Sequence, residues 1–105
     1  MKFLLTMRNK DSHYALPLKE RMPFFEKRVM LIEQNLHKGR CKVVYFDADL
    51  KGSFSVWDFN TNEEAAELIL QMPGREYVDI DIKPVMDMDV AVKQMKMYWT
   101  ICLKE

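Results

Sequence analysis

The hydrophobic period of this chain switches back and forth between two residues and three-to-four, and the order of the switches leaves few folds open. Along Lys2–Arg8, Phe3, Leu5 and Met7 alternate with Leu4, Thr6 and Arg8, the period of a strand. Asn9 to Leu16 is polar and reads as a loop. Pro17 suits the first turn of a helix, where its missing N–H costs nothing. From there Leu18, Met22, Phe25, Val29, Ile32 and Leu36 recur at steps of four and three, one stripe of a long amphipathic helix. Pro23 moves the expected start of that helix toward Arg21. Gly39 stops it, after His37 and Lys38, which suit the negative end of the helix dipole. Arg40–Asp47 alternates again, Asp47–Gly52 is a turn, and Ser53–Phe59 is a third strand, so the two form an antiparallel hairpin.

Thr61-Asn62-Glu63-Glu64 is a capping box opening a short helix with Ala65, Leu68, Ile69 and Met72 on its buried side. Pro73-Gly74 ends it. Tyr77–Lys83 is a fourth strand, with Val78, Ile80 and Ile82 on one face, Tyr77, Asp79, Asp81 and Lys83 on the other, and Pro84 closing it. The order β-α-β-β-α-β predicts an α+β, ferredoxin-like fold: a four-stranded antiparallel sheet with two helices on one face. Tyr45, Trp57 and further apolar residues cannot all face the helices. The second face therefore predicts two sheets packed into a dimeric α+β barrel around a cavity. Residues 1–84 form this domain. Residues 85–105 exceed it and carry Val85, Met88, Val92, Met95, Trp99 and Cys102 at three- and four-residue steps, a C-terminal helix expected to pack on its own or a neighbouring subunit. A short swapped strand at Thr100–Leu103 is the competing expectation.

Composition narrows the function. At 105 residues one domain is expected, and association is a natural way to bury more apolar surface. Sixteen basic and sixteen acidic residues cancel, which removes any chain-wide pull toward nucleic acid or an anionic membrane. No apolar run reaches the roughly 20 residues of a membrane span, and the first residues lack a signal-peptide pattern, so a cytoplasmic protein is expected. Cys41 and Cys102 offer neither a disulfide framework nor a metal spacing and are expected to be reduced and packed. Met86, Met88, Met95 and Met97, with no His or Cys interleaved, read as adaptable core or interface filler. There is no Gly-rich phosphate cradle, P-loop or nucleophile elbow, and no cofactor is expected.

Gly52-Ser53-Phe54-Ser55-Val56-Trp57-Asp58-Phe59, the capped helix from Asn60, Leu70-Gln71-Met72-Pro73 and Tyr77-Val78-Asp79-Ile80-Asp81-Ile82 resemble the muconolactone isomerase family. That family has an aromatic-Ser-Val-aromatic-Asp strand, a short capped helix with a Leu-Pro-like turn, and a last strand of the type Tyr-x-Asp-Ile-acidic-aliphatic. The family's His-Pro pair after the last strand is replaced here by Val85-Met86-Asp87-Met88-Asp89. The resemblance implies a small-molecule barrel protein and a cofactor-free isomerase acting by proton transfer. A cofactor-independent monooxygenase of related barrel type, or a non-catalytic ligand-binding or oligomer-forming protein, are the alternatives.

Within that frame Asp79 and Asp81, about 7 Å apart on one strand face, are candidate general bases if the face lines a dry cavity, and solvated or ion-paired carboxylates otherwise. His13, in the loop after the first strand, is a candidate proton shuttle or a surface histidine. Arg8 is a candidate anchor for a substrate carboxylate, or a salt-bridge partner of Asp79 or Asp81. Tyr45, Trp57 and Tyr77 suit the walls around a flat organic ligand, or a core.

Overall fold

The computed structural model describes residues 1–104. The elements are β1 (Lys2–Asn9), α1 (Asp11–Tyr14), α2 (Leu18–His37), β2 (Cys41–Phe46), β3 (Gly52–Asp58), α3 (Asn62–Gln71), a 3₁₀ turn (Arg75–Tyr77), β4 (Val78–Val85) and α4 (Met88–Lys104). The strands form one antiparallel sheet in the order β2-β3-β1-β4. The two connections that cross from a central strand to an edge strand, β1 to β2 and β3 to β4, carry α2 and α3.

Register divides the sheet into two unlike faces. Phe3, Leu5 and Met7 of β1 pair with Trp57, Ser55 and Ser53 of β3 and with Pro84, Ile82 and Ile80 of β4. This face holds the core, in which Phe3, Leu5, Met7, Ile32, Cys41, Trp57, Phe59, Ala65, Leu68, Met72 and Val78 are buried. Ser55 and Trp57 close a local polar account there: the indole N–H donates to Ser55 Oγ at 2.7 Å. Trp57 stacks on Phe59 with ring centroids 5.6 Å apart. The opposite face presents Leu4, Thr6, Arg8, Val43, Tyr45, Phe54, Val56, Asp79 and Asp81, and no element of the described chain packs over it.

The capping box forms with a one-residue offset. Thr61 Oγ1 accepts from Glu64 N–H at 3.2 Å, while the Glu64 carboxylate takes the N–H of Asn60 rather than that of Thr61.

Several expectations need correction. The segment after β1 is not wholly a loop, because Asp11–Tyr14 makes one helical turn that buries His13. Helix α2 starts at Leu18 with Pro23 inside it, since a proline this near the start forfeits only one late hydrogen bond. Its inward side is Arg28, Ile32 and Asn35, so of the Leu18–Leu36 stripe Ile32 is buried and Val29 half-buried, while Leu18, Met22, Phe25 and Leu36 are exposed. The reason is polar satisfaction. Arg28 donates from Nε to Pro73 O at 2.7 Å and from Nη2 to Gly74 O at 3.1 Å, and Asn35 Nδ2 donates to Leu31 O at 2.8 Å. A paired guanidinium stem can then face inward.

Tyr77 belongs to the 3₁₀ turn rather than to β4, and its ring lies 5.7 Å from that of Phe24. Cys41 is buried as expected, but Cys102 is exposed. Thr100–Leu103 is helical, so the swapped strand does not form within this chain. Helix α4 buries none of its residues and projects from the domain, giving principal extents of 62 × 30 × 25 Å.

Candidate functional site

A concave surface lies where α1 and the start of α2 meet the end of β1 and the β2–β3 turn. An open-sided cleft of about 460 Å³ is lined by Asn9, His13, Tyr14, Leu18, Arg21, Met22, Phe25, Glu26, Arg28 and Leu50. A smaller void of about 60 Å³ adjoins it under α2, sharing Asn9, Phe25, Arg28 and Leu50 and adding Met7, Val29, Ile32, Phe46 and Ser53. The walls are apolar and aromatic, with Phe25 and Phe46 ring centroids 6.2 Å apart. The polar groups are few and grouped, as in small-molecule sites.

Each polar group is held by local structure. His13 is placed by the α1 turn, which starts where Lys10 N–H bonds Tyr77 O and His13 N–H bonds Lys10 O. Its ring meets Tyr14 edge-on at 5.0 Å. Tyr14 in turn accepts from Asn9 Nδ2 at 3.2 Å and carries the Arg21 guanidinium 5.9 Å over its ring.

Two polar atoms in this group, His13 Nδ1 and Arg21 Nε, are enclosed with no hydrogen-bond partner among the described residues. Such orphans cost free energy and are few in native structures. Burial, with the Arg28 and then the Arg21 cation adding to it, holds the His13 imidazole below its usual 6.5. The ring is therefore neutral at pH 7, the form that accepts a proton. Burial also lowers the Arg28 guanidinium pKa, against the opposing pull of Glu76.

Gly74 is part of the support. Its φ of 66° is left-handed, and a Cβ there would meet Arg28 Nη2 and Phe24 Cγ at 2.8 Å. No side chain fits between the guanidinium and the chain it ties down.

The candidates from the sequence divide between three places. His13 is in the cleft. Arg8, Tyr45, Asp79 and Asp81 share the uncovered sheet face, where Tyr45 stacks on Phe54 at 5.4 Å and both aspartates are exposed. Arg8 faces Asp79 across the strands yet turns to the β2–β3 turn, pairing with Asp47 at 3.2 Å and Asp49 at 2.8 Å. Trp57 and Tyr77 are on the other side of the sheet, Trp57 fully buried in the core. No surface of the single chain brings all seven together. Arg21 and Arg28 were missed. Their signal was the pair of arginines seven residues apart on one helix side, which charge counting treats as solvated surface.

The sheet order and the side taken by α2 and α3 define a ferredoxin-like α+β protein. Among solved structures it is similar to muconolactone isomerase, with a TM-score of 0.64 at 20% identity, covering 83% of this chain and 90% of that one. A protein of Agrobacterium tumefaciens matches more loosely, with a TM-score of 0.41 at 12% identity over 84% of this chain and 96% of that one. No protein-family model and no curated protein matches the sequence. No helix among the described residues is long and apolar enough to cross a membrane.

Proposed function

We propose that this chain is a cofactor-free, isomerase-like enzyme that moves a proton within a small organic anion held in the α1–α2 cleft. The carrying observation is the enclosed, unpartnered and neutral His13 imidazole beside two arginines on an apolar wall. In this reading a carboxylate of the ligand sits against Arg21 and the accessible side of Arg28, and its apolar body lies along Met22, Phe25 and Leu50. His13 takes a proton from a carbon that lies between a carbonyl and a carbon–carbon double bond, the electron pair moves into a dienolate stabilised by the arginine charge, and the imidazolium returns the proton two carbons further on, so that the double bond shifts into conjugation with the carbonyl. No atom is gained or lost. A neutral base under a positive field suits this sequence, because the field lowers the enolate's energy more than the ground state's. The fold shared with muconolactone isomerase supports the reaction class.

The protein is further proposed to be a cytoplasmic homo-oligomer associating through the uncovered sheet face. In that assembly Asp79 and Asp81, with Arg8 and Tyr45, are enclosed and form a second place where a carboxylate base could act.

One experiment separates the two places. Unsaturated lactone carboxylates are incubated with the protein in D₂O and deuterium incorporation is followed by NMR. Exchange that falls at least 100-fold in H13A and persists in D79N and D81N supports the cleft. Exchange lost in D79N or D81N and kept in H13A moves the base to the sheet face. No exchange with any member of the series by the wild-type protein refutes the reaction class.

A further inference from the structure

Leu50, in the turn between β2 and β3, breaks two local rules at once. Its φ is 62°, in the left-handed region, where an L side chain crowds its own backbone. The other left-handed positions among the described residues, Gly39 and Gly74, are both glycine. Leu50 N–H bonds Asp47 O at 2.9 Å, and a hairpin turn of this kind takes Gly or Asn most easily at its left-handed residue. The leucine is also 80% exposed, so the fold recovers little of the cost as buried apolar surface.

The turn is braced so that this conformation cannot relax. Asp47 N–H donates to Gly52 O at 2.9 Å, Asn9 N–H to Lys51 O at 2.9 Å, and Lys51 N–H to Asp49 Oδ1 at 3.0 Å. Arg8 ties it to β1 by its pairs with Asp47 at 3.2 Å and Asp49 at 2.8 Å. At Gly52 the chain lies so close to β1 that a Cβ there would run into Met7 O. Strain of this sort persists only where the surroundings over-determine it, and such positions cluster at ligand clamps and active sites.

What the bracing presents is a place on the cleft wall. Of the residues lining the cleft, Leu50 alone comes from the β2–β3 turn, and it lines the adjoining void as well. The rest of the apolar wall, Leu18, Met22 and Phe25, is supplied by α2 and is likewise exposed. The two elements thus bring uncovered apolar side chains to one concavity that also holds Arg21 and Arg28. At about 460 Å³ the cleft has room for far more than a carboxylate.

We infer that Leu50 is a specificity-determining clamp: the braced turn holds it at the cleft, and a carboxylate-bearing ligand anchored at Arg21 and Arg28 covers it with an extended apolar body. The cost of the left-handed leucine is carried by the free protein and offset only when that body is bound. The ligand class is therefore an organic anion whose apolar part reaches several carbons beyond its carboxylate, and a bare short carboxylate is discriminated against. This rests on the proposed anion site in the cleft and names which anions that site selects. Leu50 takes no part in proton transfer. The signature of such a clamp is a residue whose replacement stabilises the protein and weakens the ligand.

The test titrates acetate and 4-phenylbutanoate, a bare and an extended carboxylate, into the full methyl-labelled chain by NMR, with thermal unfolding of the same proteins. Wild type is expected to bind 4-phenylbutanoate at least tenfold more tightly than acetate, with shifts at the Leu50 and Met22 methyls. Leu50→Asn places a residue that tolerates left-handed backbone. It is expected to raise the unfolding midpoint by about 2–6 °C. It should also weaken 4-phenylbutanoate about tenfold, the loss of one leucine contact, and leave acetate unchanged. Leu50→Met, apolar and equally strained, is expected to bind as wild type does and to gain no stability. Arg21→Met is expected to weaken both ligands. An L50N protein that is destabilised, or that binds 4-phenylbutanoate as wild type does while R21M weakens it, overturns the clamp and leaves the anion site standing. If 4-phenylbutanoate binds wild type and R21M alike, or does not bind, the anion site falls and the clamp with it.

Discussion

The Ser55–Trp57 pair provides a sharp test of how the sheet's inner face is built. Both residues are no more than 2% exposed, and the indole N–H donates to Ser55 Oγ at 2.7 Å. Ser55→Ala removes the acceptor but little volume, so its cost is the orphaned indole N–H, about 2 kcal/mol. For a domain whose whole stability is of order 5–15 kcal/mol, the midpoint of thermal unfolding falls by roughly 8–16 °C. Trp57→Phe removes the donor and part of the ring stacked on Phe59, and costs about 2–3 kcal/mol by lost packing. Once the donor is gone, Ser55→Ala on top of it loses almost nothing further. The expected coupling is therefore about 2 kcal/mol, measured by urea unfolding of the four proteins followed by far-ultraviolet circular dichroism. A Ser55→Ala cost that is the same in both backgrounds within about 0.3 kcal/mol refutes the argument that this bond holds the pair. Because Trp57 is remote from the cleft, S55A is also expected to leave ligand exchange at saturating substrate unchanged.

Other outcomes follow from the same geometry. Gly74→Ala forces a side chain into left-handed backbone against Arg28 and Phe24, and a loss of about 2 kcal/mol or more is expected in chemical unfolding. The depressed His13 pKa makes the unfolded chain the better proton acceptor. Stability from this group is thus complete above pH 6.5 and is lost as pH falls through 6.5 toward the folded-state value. Stability–pH curves of wild type and H13Q should diverge there and nowhere higher. Arg28→Met deprives Pro73 O and Gly74 O of their donors. Relief of guanidinium burial offsets part of that loss, so a net cost of about 1–3 kcal/mol is expected by calorimetry, with weaker anion binding. Arg21→Met removes a cation that is in no ion pair among the described residues and contacts only the Tyr14 ring, so it should raise KM for an anionic substrate and cost no more than about 1 kcal/mol in unfolding.

The fold was legible because its signals are local. Alternation in Lys2–Arg8 and Tyr77–Lys83, the box at Thr61–Glu64 and the turn between Asp47 and Gly52 each specify one element, and only one simple topology joins them in that order. Single elements misled wherever a distant partner decided. The apolar repeat from Leu18 to Leu36 predicts the inward side of α2, but the carbonyls of Pro73 and Gly74, 45 and 46 residues away, draw Arg28 inward and rotate the stripe toward the cleft rim. Trp57 looked like a cavity wall because an aromatic residue on an alternating strand has two faces to choose from. Register against Phe3 and Cys41 put it on the helix side.

By itself, then, the sequence determined the order and type of the four strands and the three longer helices, the antiparallel sheet and the amphipathic character of the last helix, since period, caps and turns act within a few residues. Only the tertiary structure decided which face each side chain serves. It separated Asp79, Asp81, Arg8 and Tyr45 from His13, placed Arg21 and Arg28 beside that histidine, and left α4 without a surface. Those outcomes depend on contacts between residues far apart in the chain, where burial, charge and hydrogen-bond satisfaction are settled together.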